Sequence, residues 1–174
     1  MKNTIKMVYI ALLVAQALVL HLFESMIPVP FITPGAKLGL SNLITVIALY
    51  TLERKRDAFL VVTLRIILST MFGGSLSTLM YSMAGGILSF VAMVIIKEIF
   101  KDKVSIIGVS ASGAVFHNVG QLLVAAGILH NIWVTLYLPI LSIAGIGTGI
   151  FVGIAANYLT KHLQKIPYFS KIKR

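Results

Sequence analysis

The sequence predicts an all-α integral membrane protein with six transmembrane helices in a single domain, residues 1–174. Hydrophobic residues make up 58% of the chain, charged residues only 11%, and the mean hydropathy is +0.97. Soluble domains are about 45–50% apolar and about 25% charged. A chain with so few polar residues cannot cover a water-facing surface, so membrane lipid must be the solvent for most of it.

Six apolar stretches are each long enough to form a membrane span, which needs roughly 20 helical residues with a range of about 17–25. The second and third stretches are the shortest. The first follows two lysines, as in a signal peptide, but no small-residue cleavage site comes after it, so we expect it to remain as a span. The predicted spans lie near 5–23, 36–52, 57–72, 76–97, 104–129 and 134–160.

The basic residues sort to one side of these spans. All of the 15 lysines and arginines except Lys37 and Arg65 lie at the two termini or in the loops that follow the second and fourth spans. Because cytoplasmic loops are enriched in such residues, the sequence predicts a multi-pass plasma-membrane protein with both termini cytoplasmic. The net charge of +10 then reflects membrane topology, and nucleic acid is not an expected partner.

The loop between the first two spans is rich in proline and largely apolar. Proline lacks a backbone N–H and has a fixed φ, so three prolines in seven residues cannot form the interior of a helix. The predicted topology places this loop outside the cell, and we interpret it as a lid over a binding site. The proposed lid residues are Pro28, Pro30, Phe31 and Pro34.

Three polar residues are candidate ligand contacts, two that follow this loop and one inside the third predicted span. A charge such as Arg65 inside a span costs at least about 2.5–3.5 kcal/mol, so it needs a ligand, a partner such as a helix carbonyl, or a route to the interface. Lys37 follows Pro34-Gly35, which suit a helix start, and such a start can bind an anion; alternatively, its side chain extends into the headgroups. Asn42 contacts either the ligand or a neighbouring helix, because a buried amide needs partners.

A second polar cluster lies in the fifth predicted span. His117 and Gln121 are four residues apart and therefore share a helix face, and Asn118 lies beside them. This cluster either contacts the ligand or forms a packing network between helices. No second histidine or carboxylate has metal-ligand spacing and the chain has no cysteine, so we expect no metal and no cofactor.

Small residues recur at four-residue spacing in the first and last predicted spans. Such steps let helix backbones approach closely. The glycine ladder of the last span, Gly145, Gly149 and Gly153, is expected to pack within the chain. Ala11 and Ala15 in the first span either pack in the same way or dock a partner subunit.

The acidic residues and the absence of a nucleotide motif indicate whether the chain could by itself supply the energy for transport across the membrane. No carboxylate lies in the core of a predicted span, and Glu24 sits at the outer end of the first. Ion-coupled transporters often hold such a carboxylate as a relay, so self-powered transport is disfavoured. The chain has no GxxxxGK(S/T) phosphate loop of its own.

Several sequence blocks resemble known families. The Ala11-xxx-Ala15 step, the proline-rich loop and residues 34–42 together resemble substrate-binding S components of energy-coupling factor (ECF) transporters. Roughly residues 7–160, including blocks 81–86 and 113–121, resemble the family called Gx transporter, or heptaprenyl diphosphate synthase component I.

The resemblance implies an S-component-like bundle with its ligand near the outer face, beneath the first loop. It also implies that Ala11 and Ala15 face a transmembrane coupling subunit, which is driven by two cytoplasmic ATPases. Prenyl diphosphate synthases use paired DDxxD-type motifs, whereas Asp57 and Asp102 are the only aspartates here and are far apart in the sequence. The chain is therefore not expected to be an enzyme.

Three hypotheses follow. The chain is the substrate-binding subunit of an ECF-type importer for a small polar or anionic ligand, a noncatalytic membrane component of heptaprenyl diphosphate synthase, or a membrane scaffold without a ligand. Vitamin-like compounds, flavins and isoprenoid precursors all match the mixture of cations, amides and apolar loop residues.

Overall fold

The computed structural model describes residues 2–26, 39–40, 42–72 and 75–165, and this part of the chain is helical without strands. The all-α prediction is confirmed. Short 3-10 helices at Lys101–Lys103 and Ile132–Tyr137 precede the last two α-helices. The α-helices are α1 (Lys2–Met26), α2 (Asn42–Thr51), α3 (Lys55–Met71), α4 (Leu76–Phe100), α5 (Ile106–Ile128) and α6 (Leu138–Leu163).

Four helical segments among the described residues are long and apolar enough to cross a membrane: Thr4–Glu24, Leu76–Lys103, Ile106–Ile128 and Ile132–Leu163. Large apolar side chains are exposed along them. Water would be a poor solvent for so much apolar surface, and the chain is therefore a membrane protein. The other two α-helices are shorter, with 10 residues in α2 and 17 in α3.

Two salt bridges connect the ends of α1, α3 and α4 at one end of the bundle. Lys6 Nζ lies 3.1 Å from Asp57 Oδ2, which joins the start of α1 to the start of α3. Lys55 Nζ lies 2.8 Å from Glu98 Oε1, which joins the start of α3 to the end of α4. We call this the basic end, and the other the opposite end.

Helices α5 and α6 run antiparallel and pack through the glycine ladder. A Cβ atom added at Gly149 would lie 2.6 Å from Ala111 Cα, and one at Gly153 would lie 2.7 Å from Ile107 Cα. One at Gly145 would lie 2.7 Å from Asn118 Nδ2, further along α5. The predicted intrachain role of the ladder is confirmed, and the last turns of α6 lie at the basic end.

Helix α2 lies at the centre of the bundle and contacts each of the other five α-helices. Eight of its ten residues are buried. Its length of about 15 Å at 1.5 Å per residue is half of the roughly 30 Å hydrocarbon core. A span was predicted near 36–52, but the helix begins at Asn42, because Gly39 has a φ of +79°, outside the helical region. Residues 36–38 and 41 lie outside the described part of the chain.

A lysine from α4 stabilises the C-terminal end of α2. Lys97 Nζ donates a hydrogen bond of 2.7 Å to the carbonyl oxygen of Leu49 and lies 4.2 Å from the centre of the Tyr50 ring. The last carbonyls of a helix have no partner within the helix and carry its negative dipole end. Lys97 therefore supplies both a donor and a complementary charge.

We expect Lys97→Met to lower the free energy of unfolding by about 1–2 kcal/mol, because it removes this donor and charge but keeps an apolar stem. Thermal unfolding in detergent micelles measures the change. Lys103→Met, at an exposed position near the same end, is the control and should unfold like the wild type. Equal loss in both variants would contradict the capping role.

Candidate functional site

A chain of hydrogen bonds between buried groups links α1, α2 and α3. The carboxylate of Glu24, in the last turn of α1, accepts a hydrogen bond from the backbone N–H of Gly39. The Gly39 carbonyl accepts one from the Asn42 N–H at 2.8 Å. Asn42 Oδ1, at the start of α2, accepts one from Arg65 Nη2 on α3 at 2.9 Å. We call these four residues the polar network.

The tight turn before α2 sets the position of this network. Gly39 adopts a left-handed conformation, which costs a residue with a side chain roughly 1–2 kcal/mol. Its carbonyl then meets the Asn42 N–H, and Leu43 N–H donates to the Leu40 carbonyl at 3.0 Å. The turn therefore places Asn42, the first residue of α2, within hydrogen-bonding distance of Arg65.

The two charges of the polar network are both buried and of opposite sign. Glu24 is 2% exposed and Arg65 is 6% exposed, and the hydrogen bonds through Gly39 and Asn42 connect them. Buried charges are tolerated when they are paired and hydrogen-bonded. One partner that the sequence requires for Arg65 is therefore the Asn42 amide, and a buried charge of opposite sign belongs to the same network.

Glu24 is a site residue that the sequence analysis did not include. The sequence nevertheless contains an indication that Glu24 is unusual, because it is the one acidic residue of the chain that lies away from the predicted cytoplasmic loops. The chain also places one arginine inside a predicted span. A lone acid and a lone intramembrane arginine are candidates for a pair.

Two consecutive glycines on α4 bring the second predicted cluster to the same level as the arginine. A Cβ atom at Gly85 would lie 2.9 Å from His117 Cε1 and Nδ1. One at Gly86 would lie 2.7 Å from Ile66 Cδ1 and 3.8 Å from Arg65 Nη2. The imidazole from α5 and the guanidinium from α3 therefore lie against neighbouring positions of α4.

Asn118 and Gln121 differ in their surroundings. Asn118 Nδ2 donates a hydrogen bond of 2.7 Å to the Leu141 carbonyl of α6, next to Gly145. This bond favours the packing interpretation for the Asn118 amide nitrogen. Gln121 lies one turn beyond His117 on α5 and is partly exposed.

The remaining predicted site residues fall into two groups. Ala11 and Ala15 are both exposed on α1, so the described helices leave the alanine step accessible. Lys37 and the proposed lid lie outside the described residues, and their roles stay predictions. The lid comprises Pro28, Pro30, Phe31 and Pro34.

Comparison with protein families gives one match. Residues 13–159 match the family described as heptaprenyl diphosphate synthase component I. The chain belongs to this family. The matched region includes the whole polar network and His117, and it confirms the resemblance noted for most of the sequence. No curated protein and no solved structure matches the chain, so its likeness to ECF S components stays a prediction.

Proposed function

We propose that the protein is the substrate-binding membrane subunit of an ECF-type importer and captures a small polar ligand at the opposite end of the bundle. The observation that carries the proposal is the buried polar network, with Arg65 and His117 held against adjacent glycines of α4. Ionisable residues at such positions are expensive in a membrane protein and often mark a ligand path.

The direction of the helices supports an outward-facing site. The start of α1 and the end of α6 both lie at the basic end, and basic residues favour the cytoplasmic side of a membrane. We therefore place both termini in the cytoplasm of a plasma-membrane protein, with all six α-helices in the membrane. In this orientation the polar network lies in the outer half of the bundle.

A purely structural explanation accounts less well for the network. Well-packed hydrophobic residues of similar volume often replace a buried ion pair without loss of stability. A scaffold in lipid would therefore gain little from Glu24 and Arg65. A binding protein gains hydrogen-bonding groups, held in position by α1, α2 and α3, that a polar ligand can contact.

The energy for transport would come from ATP hydrolysis by partner subunits, because the chain has no nucleotide-binding phosphate loop of its own. The exposed step of Ala11 and Ala15 on α1 offers a close-packing surface for a transmembrane coupling subunit. Two cytoplasmic ATPases would then act on that subunit from the basic end. In this role the chain moves its ligand and catalyses no reaction.

Co-purification tests the role. We expect the tagged chain to retain a coupling subunit and its two ATPases. Ala15→Leu should reduce the retained amount at least about tenfold, because added bulk keeps the two backbones apart. Gly147→Leu is the matched control, since a Cβ atom there has no neighbour within 4 Å. If the wild type retains no such partner, or both variants behave alike, the proposal is wrong.

The family description favours a second candidate, a noncatalytic membrane component of heptaprenyl diphosphate synthase. A component implies a partner, and here the partner would be a soluble subunit with aspartate-rich motifs. The discriminating measurement adds this chain, in lipid vesicles, to that subunit. A rise in prenyl diphosphate synthesis would favour the second candidate over the first.

A further inference from the structure

The site around Arg65 already contains a negative charge of the protein. Glu24 and Arg65 are both buried, and Asn42 Oδ1 accepts a hydrogen bond from Arg65 Nη2 at 2.9 Å. The Gly39 N–H holds the carboxylate in place, and the turn to Asn42 holds Gly39. The acid at the end of α1 is therefore fixed on the same side of the bundle as the arginine.

This arrangement determines which ligands the site can accept at low cost. A free anion that bound Arg65 would bring a second negative charge into the buried site beside the Glu24 carboxylate, and buried like charges repel each other strongly. A group with no net charge, such as an amide, a hydroxyl or a zwitterion, could donate to Glu24 and accept from Arg65. Such a group leaves the charge balance of the buried site unchanged.

We infer that Glu24 is a specificity-determining residue, which makes this site select polar groups of zero net charge over free anions such as diphosphates. The inference deepens the proposed function, because it concerns the same site. It also restricts the ligand class that the sequence predicts. The sequence allowed a small polar ligand or an anionic one, and the inference excludes the free anion. A prenyl diphosphate would be a poor ligand at this position.

Binding of inorganic pyrophosphate to the purified chain in detergent micelles tests the inference. We expect no saturable, Arg65-dependent binding to the wild type. Glu24→Gln keeps an oxygen that can accept the Gly39 hydrogen bond but removes the charge. We expect it to bind pyrophosphate at least about tenfold more tightly, and the double variant Glu24→Gln/Arg65→Gln to lose this binding.

Glu98→Gln is the matched control, because it makes the same change in net charge at an exposed position of the basic end. It should bind pyrophosphate as the wild type does. Pyrophosphate binding that persists in Arg65→Gln is attributed to surface lysines and is not counted as binding at this site. Arg65-dependent binding to the wild type, or no gain in Glu24→Gln over Glu98→Gln, would overturn the inference.

The wild-type measurement can refute the inference even if Glu24→Gln does not fold, since Arg65-dependent binding to the wild type is sufficient to exclude selectivity against anions. The assay uses the chain alone. Its failure is therefore distinct from failure of the proposed import role, which is measured by association with the coupling subunit.

Discussion

Replacing Gly149 by alanine is expected to lower the free energy of unfolding by about 3 kcal/mol, near the upper end of the usual cost of overpacking. The added Cβ would lie 2.6 Å from Ala111 Cα and 3.0 Å from the Ser110 carbonyl oxygen. These are backbone atoms of α5 and cannot rotate away. The two helices must therefore separate along their shared surface, and thermal unfolding in detergent micelles measures the loss.

Gly147→Ala is the matched control, two residues away on α6. Among the described residues, no heavy atom beyond the adjacent residues and the local helix backbone lies within 4 Å of a Cβ atom at this position, and alanine is favoured over glycine in helices by up to about 1 kcal/mol. This variant should be as stable as the wild type or slightly more stable. If Gly149→Ala unfolds at the same temperature as Gly147→Ala, α5 and α6 do not approach as closely as described.

Arg65→Met is expected to destabilise the bundle by about 3–5 kcal/mol, the cost of removing one of two opposite charges that are buried in the same network. Methionine keeps much of the length and the helix preference of arginine. The loss therefore comes mainly from Glu24, which remains buried and hydrogen-bonded to Gly39 after the positive charge of Arg65 has been removed. Denaturant unfolding of the purified protein gives the free energy.

A double-mutant cycle with Glu24→Gln separates this effect from lost packing. The double variant should recover most of the stability lost in Arg65→Met, because both buried charges are then absent. Additive losses in the two single variants would show that Glu24 and Arg65 are not coupled. The cycle reports on the pair itself and requires no ligand.

Much of the fold could be predicted because the long helices coincide with long apolar runs. The predicted spans 76–97 and 104–129 closely match α4 and α5. Helix α2 was harder, since apolar composition is the same for a helix that faces lipid and for one that is enclosed by protein. Its late start depends on the left-handed conformation of Gly39. The preceding sequence Ala36-Lys37-Leu38 does not predict this conformation.

Part of the site could be predicted from the cost of burying polar groups. Arg65 and Asn42 were candidates because each needs a partner inside an apolar segment, and the structure joins them. The partner Glu24 was not predicted, since its pairing across three helices is a tertiary property. For Asn118 the sequence left packing between helices open as an alternative, but the specific partner, a backbone carbonyl of α6, depends on tertiary structure.

The shortness of α2 also bears on how the protein is synthesised. A ten-residue helix cannot enter a bilayer as an independent unit, because its ends would leave unsatisfied backbone groups in the hydrocarbon region. The long neighbours α1 and α4 can insert on their own. Under the proposed topology, with all six α-helices in the membrane, α2 enters the lipid only as these neighbours close around it, so that its insertion depends on tertiary assembly.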